Sequence, residues 1–182
     1  MFPQARSPAE PVLSPLIICL QRQLAFDCGG GDERLGARVL SLLYISRSRL
    51  TGDDPDRQLS EILAAAVSRN LGSGITGALV ATGKDFAQVL EGEESAVVDI
   101  MGSILLDPRH DHVRIISREA ISERSFPNWG MALVGHQPET MQLIETIWTA
   151  PDDNEQQIAV RELVRWMREG ASARIAGSVR QR

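Results

Sequence analysis

Residues 75–90 read ITGALVATGKDFAQVL and contain two apolar runs joined by a short polar segment. The first run is typical of a buried strand, and TGKD is typical of a hairpin turn, since glycine accepts the backbone angles of tight turns. In the second run Phe86, Gln88 and Leu90 alternate with Ala and Val, so they share one face of a strand. The segment predicts an antiparallel hairpin with one amide, Gln88, on an apolar face.

An amphipathic helix is predicted on each side of this hairpin in the chain. Before it, Asp54 and Pro55 are typical of an N-cap followed by proline at the first helical position, and apolar residues recur with helical spacing over 59–67. After it, the same spacing recurs over 97–105. The second helix is expected to end at 107–108, because a residue before proline avoids the helical region.

Three further apolar runs of strand length, 39–45, 113–116 and 129–134, complete the predicted sheet. The element order β-α-β-β-α-β-β predicts an α+β, ferredoxin-like sandwich with one added strand and both helices on one face of the sheet. Two shorter helices with apolar stripes follow, at 140–148 and 153–169. Because they are too small to have a core of their own, we expect them to pack on the sheet or on another subunit.

The chain is predicted to contain one core domain, 37–136, which agrees with a length of 182 residues. Residues 1–36 are rich in proline and glycine and are predicted to be an irregular extension with one apolar segment, 16–20. Residues 137–170 are predicted to form a helical cap, and 171–182 a frayed basic tail.

Composition argues against several classes of protein. Nineteen basic against 24 acidic residues give a net charge of −5, which does not suit a surface that coats nucleic acid. The two cysteines are too few for a disulfide framework or a CxxC zinc site. No apolar run approaches the roughly 18 residues of a membrane span. We therefore expect a cytoplasmic protein that contacts neither nucleic acid nor membrane directly.

Few side chains indicate chemistry on their own. Gln88 on its apolar face needs a hydrogen-bond partner, which could be a neighbouring strand, an ordered water or a bound ligand. Tyr44, the only tyrosine, is interpreted as a core residue with a bonded hydroxyl. Asn70 near a helix end is interpreted as a C-cap. Trp129 and Met131, two apart on the last strand, are interpreted as core residues on one face.

A metal site is not predicted from the histidines. His110 and His112 lie two apart after a proline, and no third ligand stands at a suitable spacing. A solvated polar turn is therefore favoured over a metal pair. The sequence also has no Walker A, GxGxxG, GxSxG or HExxH motif.

Five segments taken together resemble the BLUF family, the flavin-based blue-light sensors. They are LLYISRS, RNLGSGITGALV, FAQVLEGE, ILLDPRHDHVRII and RSFPNWGMALV, and they follow one another in register over about residues 38–135. The combination of GITG, FxQxLEG, DPRH and F-x-x-W-x-M is specific. The resemblance implies a flavin, FAD, held non-covalently between the two helices with its ring edge facing the sheet.

The resemblance also implies the site residues around the ring. Tyr44, Asn70 and Gln88 match the tyrosine, asparagine and glutamine that surround the polar edge of the flavin. Ile62 and Ile104 fall where the two helices would cover the faces of the ring. Arg69 stands where many relatives have a second asparagine, so contacts to the pyrimidine end of the ring are expected to differ.

Further positions match the rest of the family's site. Three residues match the stretch that lies toward the ribityl and phosphate end of the flavin: Asp107, Arg109 and His110. Ser46 matches a serine that hydrogen-bonds near the tryptophan or the glutamine. Trp129 and Met131 match the pair that competes for a position near Gln88.

The function implied by the resemblance is light reception. Tyr44 is expected to give the excited flavin an electron and then a proton through Gln88, and the pair recombines. What persists is a changed orientation or tautomer of the Gln88 amide, which disturbs Trp129, Met131 and the last strand. That strand leads into the two C-terminal helices, which are the expected output.

The output is expected to be non-enzymatic, because no effector domain fits beside the core. We expect an unidentified downstream protein partner and a homo-oligomer, since Trp148, Trp166 and Met167 would otherwise be exposed. The alternative function is a light-insensitive interaction module on the same fold. A second alternative is a hydrolase of the acylphosphatase type that uses Arg69 and Asn70, although fold alone does not determine function.

Overall fold

Five strands form one mixed sheet in a computed structural model that describes residues 39–50 and 54–179, with side chains through residue 173. The elements are β1 Val39–Ser48, α1 Pro55–Gly72, β2 Thr76–Ala81, β3 Asp85–Gly92, α2 Glu94–Leu105, β4 His110–Ile121, β5 Ala132–Val134, α3 Pro138–Thr149 and α4 Asp153–Val179. The sheet order is β4-β1-β3-β2-β5, with β2 and β5 parallel and the other neighbours antiparallel. The predicted α+β, ferredoxin-like order with two C-terminal helices is confirmed.

Both faces of the sheet are covered by helices. Gln88 on β3 and Leu79 on β2 lie on the face toward α1 and α2. The alternate residues of the same strands, such as Val89 and Val80, join a core cluster with α3 and α4. Because side chains alternate along a strand, β1 and β3 supply residues to both layers.

The start of α1 and the hairpin turn follow the sequence signals. The Asp54 carboxylate accepts a hydrogen bond from the Arg57 amide at 2.9 Å, and Pro55 occupies the first helical position. In the turn between β2 and β3, Gly83 has a φ of 82°, which a residue with a side chain rarely adopts.

Three strand predictions were wrong in extent. β1 runs through Ser48 rather than ending at Ile45. β4 is twelve residues long rather than 113–116, because it pairs with β1 along nearly all of its length through two irregularities. β5 begins at Ala132 rather than at Trp129. Its ladder with β2 starts only at the Ala78–Ala132 pair, and the backbone before it turns.

The C-terminal helices pack on the sheet, and α4 is longer than predicted. Its buried stripe, Ala159, Leu163 and Met167, continues to Ala171, which is also fully enclosed. The helix runs through Val179 and so includes most of the segment predicted as a basic tail. The extension predicted at 1–36 lies outside the described residues.

The exposure expected for the apolar residues of these helices is only partly observed. Met167 is fully buried against the sheet, which removes it from the argument for self-association. Trp148 and Trp166 are half-buried. The Trp148 indole donates a hydrogen bond to Asp85 at 3.1 Å, and the Arg47 guanidinium lies 4.5 Å from its ring centroid. Trp148 is thus largely held within the chain itself.

Among the helices described, none has both the length and the apolar character needed to cross a membrane.

Candidate functional site

A cleft lies between α1 and α2, with the sheet as its floor. Residues on α1 line one wall at intervals of one helical turn, and residues on α2 line the other. The lining includes Ile62, Ala66 and Asn70 on α1, Ile100 and Ile104 on α2, Leu79 and Gln88 on the sheet, and Asp107, Arg109 and His110 after α2. The cleft therefore brings together every residue matched to ring and phosphate contacts except Tyr44, which lies beneath it on β1 together with Ser46.

Tyr44, Gln88 and Met131 form a hydrogen-bonded chain beneath the cleft. Tyr44 and Gln88 are paired directly across β1 and β3, and the Tyr44 hydroxyl donates to Gln88 Oε1 at 2.5 Å. The other end of the amide, Nε2, donates to Met131 Sδ at 3.3 Å. A thioether only accepts, so a hydroxyl donor on one side and sulfur on the other determine which way the amide points.

The Tyr44 phenol is kept neutral by its surroundings. Burial raises the pKa of its hydroxyl well above the ordinary value, and the negative charge of Asp107 raises the pKa further. Tyr44 therefore acts as a hydrogen-bond donor to Gln88.

Asn70 connects the cleft to the segment before β5. It is buried at the end of α1, and its Nδ2 donates to the Gly130 carbonyl at 2.7 Å. The C-cap prediction for Asn70 was wrong, because α1 continues through Gly72 and its C-cap is Ser73. The Asn70 side chain instead holds the segment before β5 against the end of α1.

Charged groups gather at the mouth of the cleft. Asp107 and Arg109 form a close ion pair, with Arg109 Nε 2.8 Å and Nη2 2.5 Å from the carboxylate oxygens. The hydrogen bond from Arg109 lowers the pKa of the Asp107 carboxyl, which is therefore ionised. Arg69 also lines the cleft and has no ion-pair partner among the residues described. One positive charge is thus left uncompensated there.

The prediction that His110 lies in a solvated turn was wrong, because β4 begins at this residue. Its ring lies 4.7 Å from that of Phe86, its Nδ1 lies 2.9 Å from Ser46 Oγ, and burial lowers its pKa. Ser46 therefore bonds to His110 rather than near Trp129 or Gln88, since its side chain points toward the β4 edge of the cleft. Within the described ranges, no group of three residues could hold a metal ion.

Trp129 and Met131 do not share a face, contrary to the prediction. Met131 is buried beside Gln88, whereas Trp129 is half-buried against the core on the opposite side of the sheet. The alternation of a strand does not apply, because both residues precede β5. Sequence reasoning also missed Ala66 and Ile100, although each lies one helical turn from a predicted cleft residue.

The residues present fit a planar aromatic ligand with one polar edge and an anionic tail. The isoleucines of α1 and α2 offer apolar contact to both faces of a ring, and the amides of Asn70 and Gln88 offer donors and acceptors to its edge. Arg69 and Arg109 suit phosphate.

The family model for sensors of blue light using FAD, named BLUF, matches residues 39–132, just over half of the chain. A blue light- and temperature-regulated antirepressor from Escherichia coli (strain K12) is 36% identical over 95 residues, 52% of this chain and 23% of that protein. A photoactivated adenylate cyclase subunit beta from Euglena gracilis is 36% identical over 90 residues, 50% of this chain and 10% of that protein. The chain spans less than a quarter of the length of these curated relatives.

Solved structures of other proteins share the fold of this chain. The dark-state structure of BlrB, a BLUF protein, aligns with a TM-score of 0.61 and 32% identity, covering 74% of this chain and 98% of that one. The photo-activated state of BlsA aligns with a TM-score of 0.58 and 25% identity, covering 69% of this chain and 94% of that one.

Proposed function

The chain belongs to the BLUF family, the sensors of blue light that use FAD, and from this membership we propose that it is a blue-light photoreceptor. The observation that carries the proposal is the hydrogen-bonded chain from Tyr44 through Gln88 to Met131 under the cleft. It joins a neutral phenol to the segment that leads into the output helices. The hydrolase alternative loses its support, because the family is one of sensors.

FAD is proposed to bind non-covalently between α1 and α2. Ile62 and Ile104 would contact the faces of its ring, and Asn70 and Gln88 would bind the polar edge. Arg109 would face the phosphates, with Asp107 holding its guanidinium in place, and Arg69 would lie near the pyrimidine end of the ring beside Asn70. When bound, the flavin supplies absorption of blue light and accepts an electron.

Tyr44 is proposed to release an electron and its hydroxyl proton, and Gln88 Oε1 is the first acceptor of that proton. The electron and the proton then return to Tyr44, while the Gln88 amide has rotated or changed tautomer. In the rotated amide, Oε1 rather than Nε2 faces Met131. Since neither an amide oxygen nor a thioether sulfur donates a hydrogen bond, the contact between Gln88 and Met131 is lost.

The signal is proposed to leave through β5. Met131 directly precedes this strand of three residues, and α3 follows it after a short connection. A shift of Met131 would therefore change how α3 and α4 present their outer faces. The output is a changed contact with an unidentified protein partner or with another copy of the chain, in the cytoplasm.

The first test is a light–dark difference spectrum of the purified chain loaded with FAD. We expect a reversible red shift in blue light that decays in the dark. Tyr44→Phe is expected to bind FAD and to lose the shift, because it keeps the ring and removes the hydroxyl. Tyr44 is the only tyrosine, so no other phenol in the chain can replace it.

Three results would contradict this proposal. A Tyr44→Phe variant that keeps the red shift would exclude Tyr44 as the donor. A folded chain that takes up no FAD would remove the cleft as its site. A chain that binds FAD without any difference spectrum would favour the light-insensitive interaction module.

A further inference from the structure

Glu91 is a fully buried carboxylate that the proposed light response does not use. It lies on β3 three residues after Gln88, so the two side chains point to opposite faces of the sheet. Its two oxygens accept hydrogen bonds from the backbone amides of Ser125 and Phe126, both at 3.0 Å. A buried charge is costly unless it is hydrogen-bonded, and these two bonds are charge-assisted. Glu91 therefore holds the backbone at 125–126 firmly.

Arg124, the residue before Ser125, ties the same part of the loop to β2 and β3 through its side chain. Its guanidinium donates to the Glu91 carbonyl at 2.7 Å, to Thr76 Oγ1 at 2.9 Å and to the Gly74 carbonyl at 2.8 Å. The first part of the loop before β5 is thereby tied to the end of β3 and the start of β2.

The last part of the same loop reaches the cleft. Asn70 Nδ2 donates to the Gly130 carbonyl, and Gln88 Nε2 contacts Met131 Sδ. Sulfur is a weak acceptor, so the contact at Met131 is much weaker than the two bonds to the Glu91 carboxylate. At the cleft end, the Gly77 amide also donates to the Trp129 carbonyl at 3.1 Å, so Trp129 and Gly130 are held by β2 and α1. The position of Met131, the last residue of the loop, is the part that depends on the Gln88 amide.

We propose that Glu91 is a positioning residue for the light response, an inference that rests on the proposed function. Its carboxylate holds 125–126 in place, so that Met131 lies against Gln88 and Phe126 stays in the core. When the Gln88 amide changes, Met131 is released while 125–126 stay in place, and the movement of Met131 passes to β5. Without the carboxylate, the loop would shift at both ends and Met131 would no longer report on Gln88.

The test compares Glu91→Gln with Glu119→Gln as a matched control. Glu119 is exposed on β4 and lines, together with Glu91, a groove beside α4. Its carboxylate accepts no hydrogen bond from a backbone amide among the described residues. In the FAD-free chain, Glu91→Gln is expected to speed hydrogen exchange of the Ser125 and Phe126 amides by about tenfold or more, because their charge-assisted hydrogen bonds to the carboxylate are lost.

In the FAD-bound chain, Glu91→Gln is expected to reduce the amplitude of the red shift to about half or less, because Met131 is no longer held beside Gln88. FAD affinity should change by less than about threefold, since Glu91 faces away from the cleft. Glu119→Gln should leave all three measurements unchanged. If Glu91→Gln fails to fold, Glu91→Asp, which keeps the charge on a shorter side chain, is tested in the same way with the same expected direction.

Faster amide exchange with an unaltered red shift would overturn the positioning role and leave Glu91 as a structural residue. Unaltered amide exchange would overturn the proposed hold on the loop. A wild-type chain with no red shift would overturn the proposed function and this inference together. A responsive wild type with an equally responsive Glu91 variant would overturn the inference alone.

Discussion

Tyr44 is fully buried and is the only tyrosine in the chain, so its ionisation can be followed without interference. Burial raises the pKa of its hydroxyl above the ordinary value of 10.0. We expect no phenolate absorbance in the near ultraviolet as the pH passes 10 while the protein stays folded.

The same shift predicts how stability depends on pH. Below pH 10 the phenol is protonated in both states and its contribution to stability is fully present. Above pH 10 the unfolded chain loses the proton and the folded chain keeps it, so the free energy of unfolding falls by about 1.4 kcal/mol per pH unit. Far-ultraviolet circular dichroism recorded beside the phenolate absorbance checks this. Phenolate forming near pH 10 in folded protein would contradict it.

Individual site residues were predictable where a regular element carries them. Gln88 follows from the alternation of β3, and Ile62 and Asn70 follow from the spacing of α1 once the resemblance is recognised. Met131 was predicted beside Gln88 and lies there, whereas Ser46 and Trp129 were predicted with other neighbours than the structure gives them. Their contacts depend on where the edge strand and an irregular loop cross the site, and no local periodicity records that.

At the scale of elements, the packing of α4 on the sheet can be tested on the helix itself. Leu163 is fully buried in the core cluster, whereas Ile158 on the same helix is 48% exposed. We expect Leu163→Ala to lower the free energy of unfolding by about 2–5 kcal/mol, since it leaves a cavity. Ile158→Ala is the control, with an effect of about 0.5 kcal/mol or less, as for most surface changes. Urea unfolding measures both.

A small effect of Leu163→Ala would mean that α4 is not held on the sheet in solution.

The helices and the hairpin were predictable because each has an internal period and a capping or turn residue. The ends of β4, β5 and α4 were not, because each is determined by a neighbour. β4 extends as far as β1 offers partners, and α4 continues as long as its stripe finds the sheet.

At the scale of the whole molecule, the sheet separates a ligand layer, which contains the cleft, from an output layer, which contains the C-terminal helices proposed as the output. The cleft lies on the side of α1 and α2, and the core of α3 and α4 lies on the other. The strand β3 belongs to both layers, with Gln88 on one face and Val89 and Glu91 on the other. All three tryptophans lie in the loop before β5 or in α3 and α4, so tryptophan fluorescence reports on the output layer.

Because both layers share one sheet, we expect them to unfold together, and FAD bound in the cleft should stabilise the output layer as well. At about 100 times its dissociation constant, FAD should raise the free energy of unfolding by about 2.7 kcal/mol, followed by tryptophan fluorescence. Ala66→Phe, which fills the cleft, should abolish this gain, whereas Ala64→Phe, two residues away and exposed outside the lining, should keep it. FAD release and tryptophan fluorescence should show the same unfolding transition. If FAD leaves the cleft at a different urea concentration from the change in tryptophan fluorescence, the two layers unfold separately and β3 does not couple them.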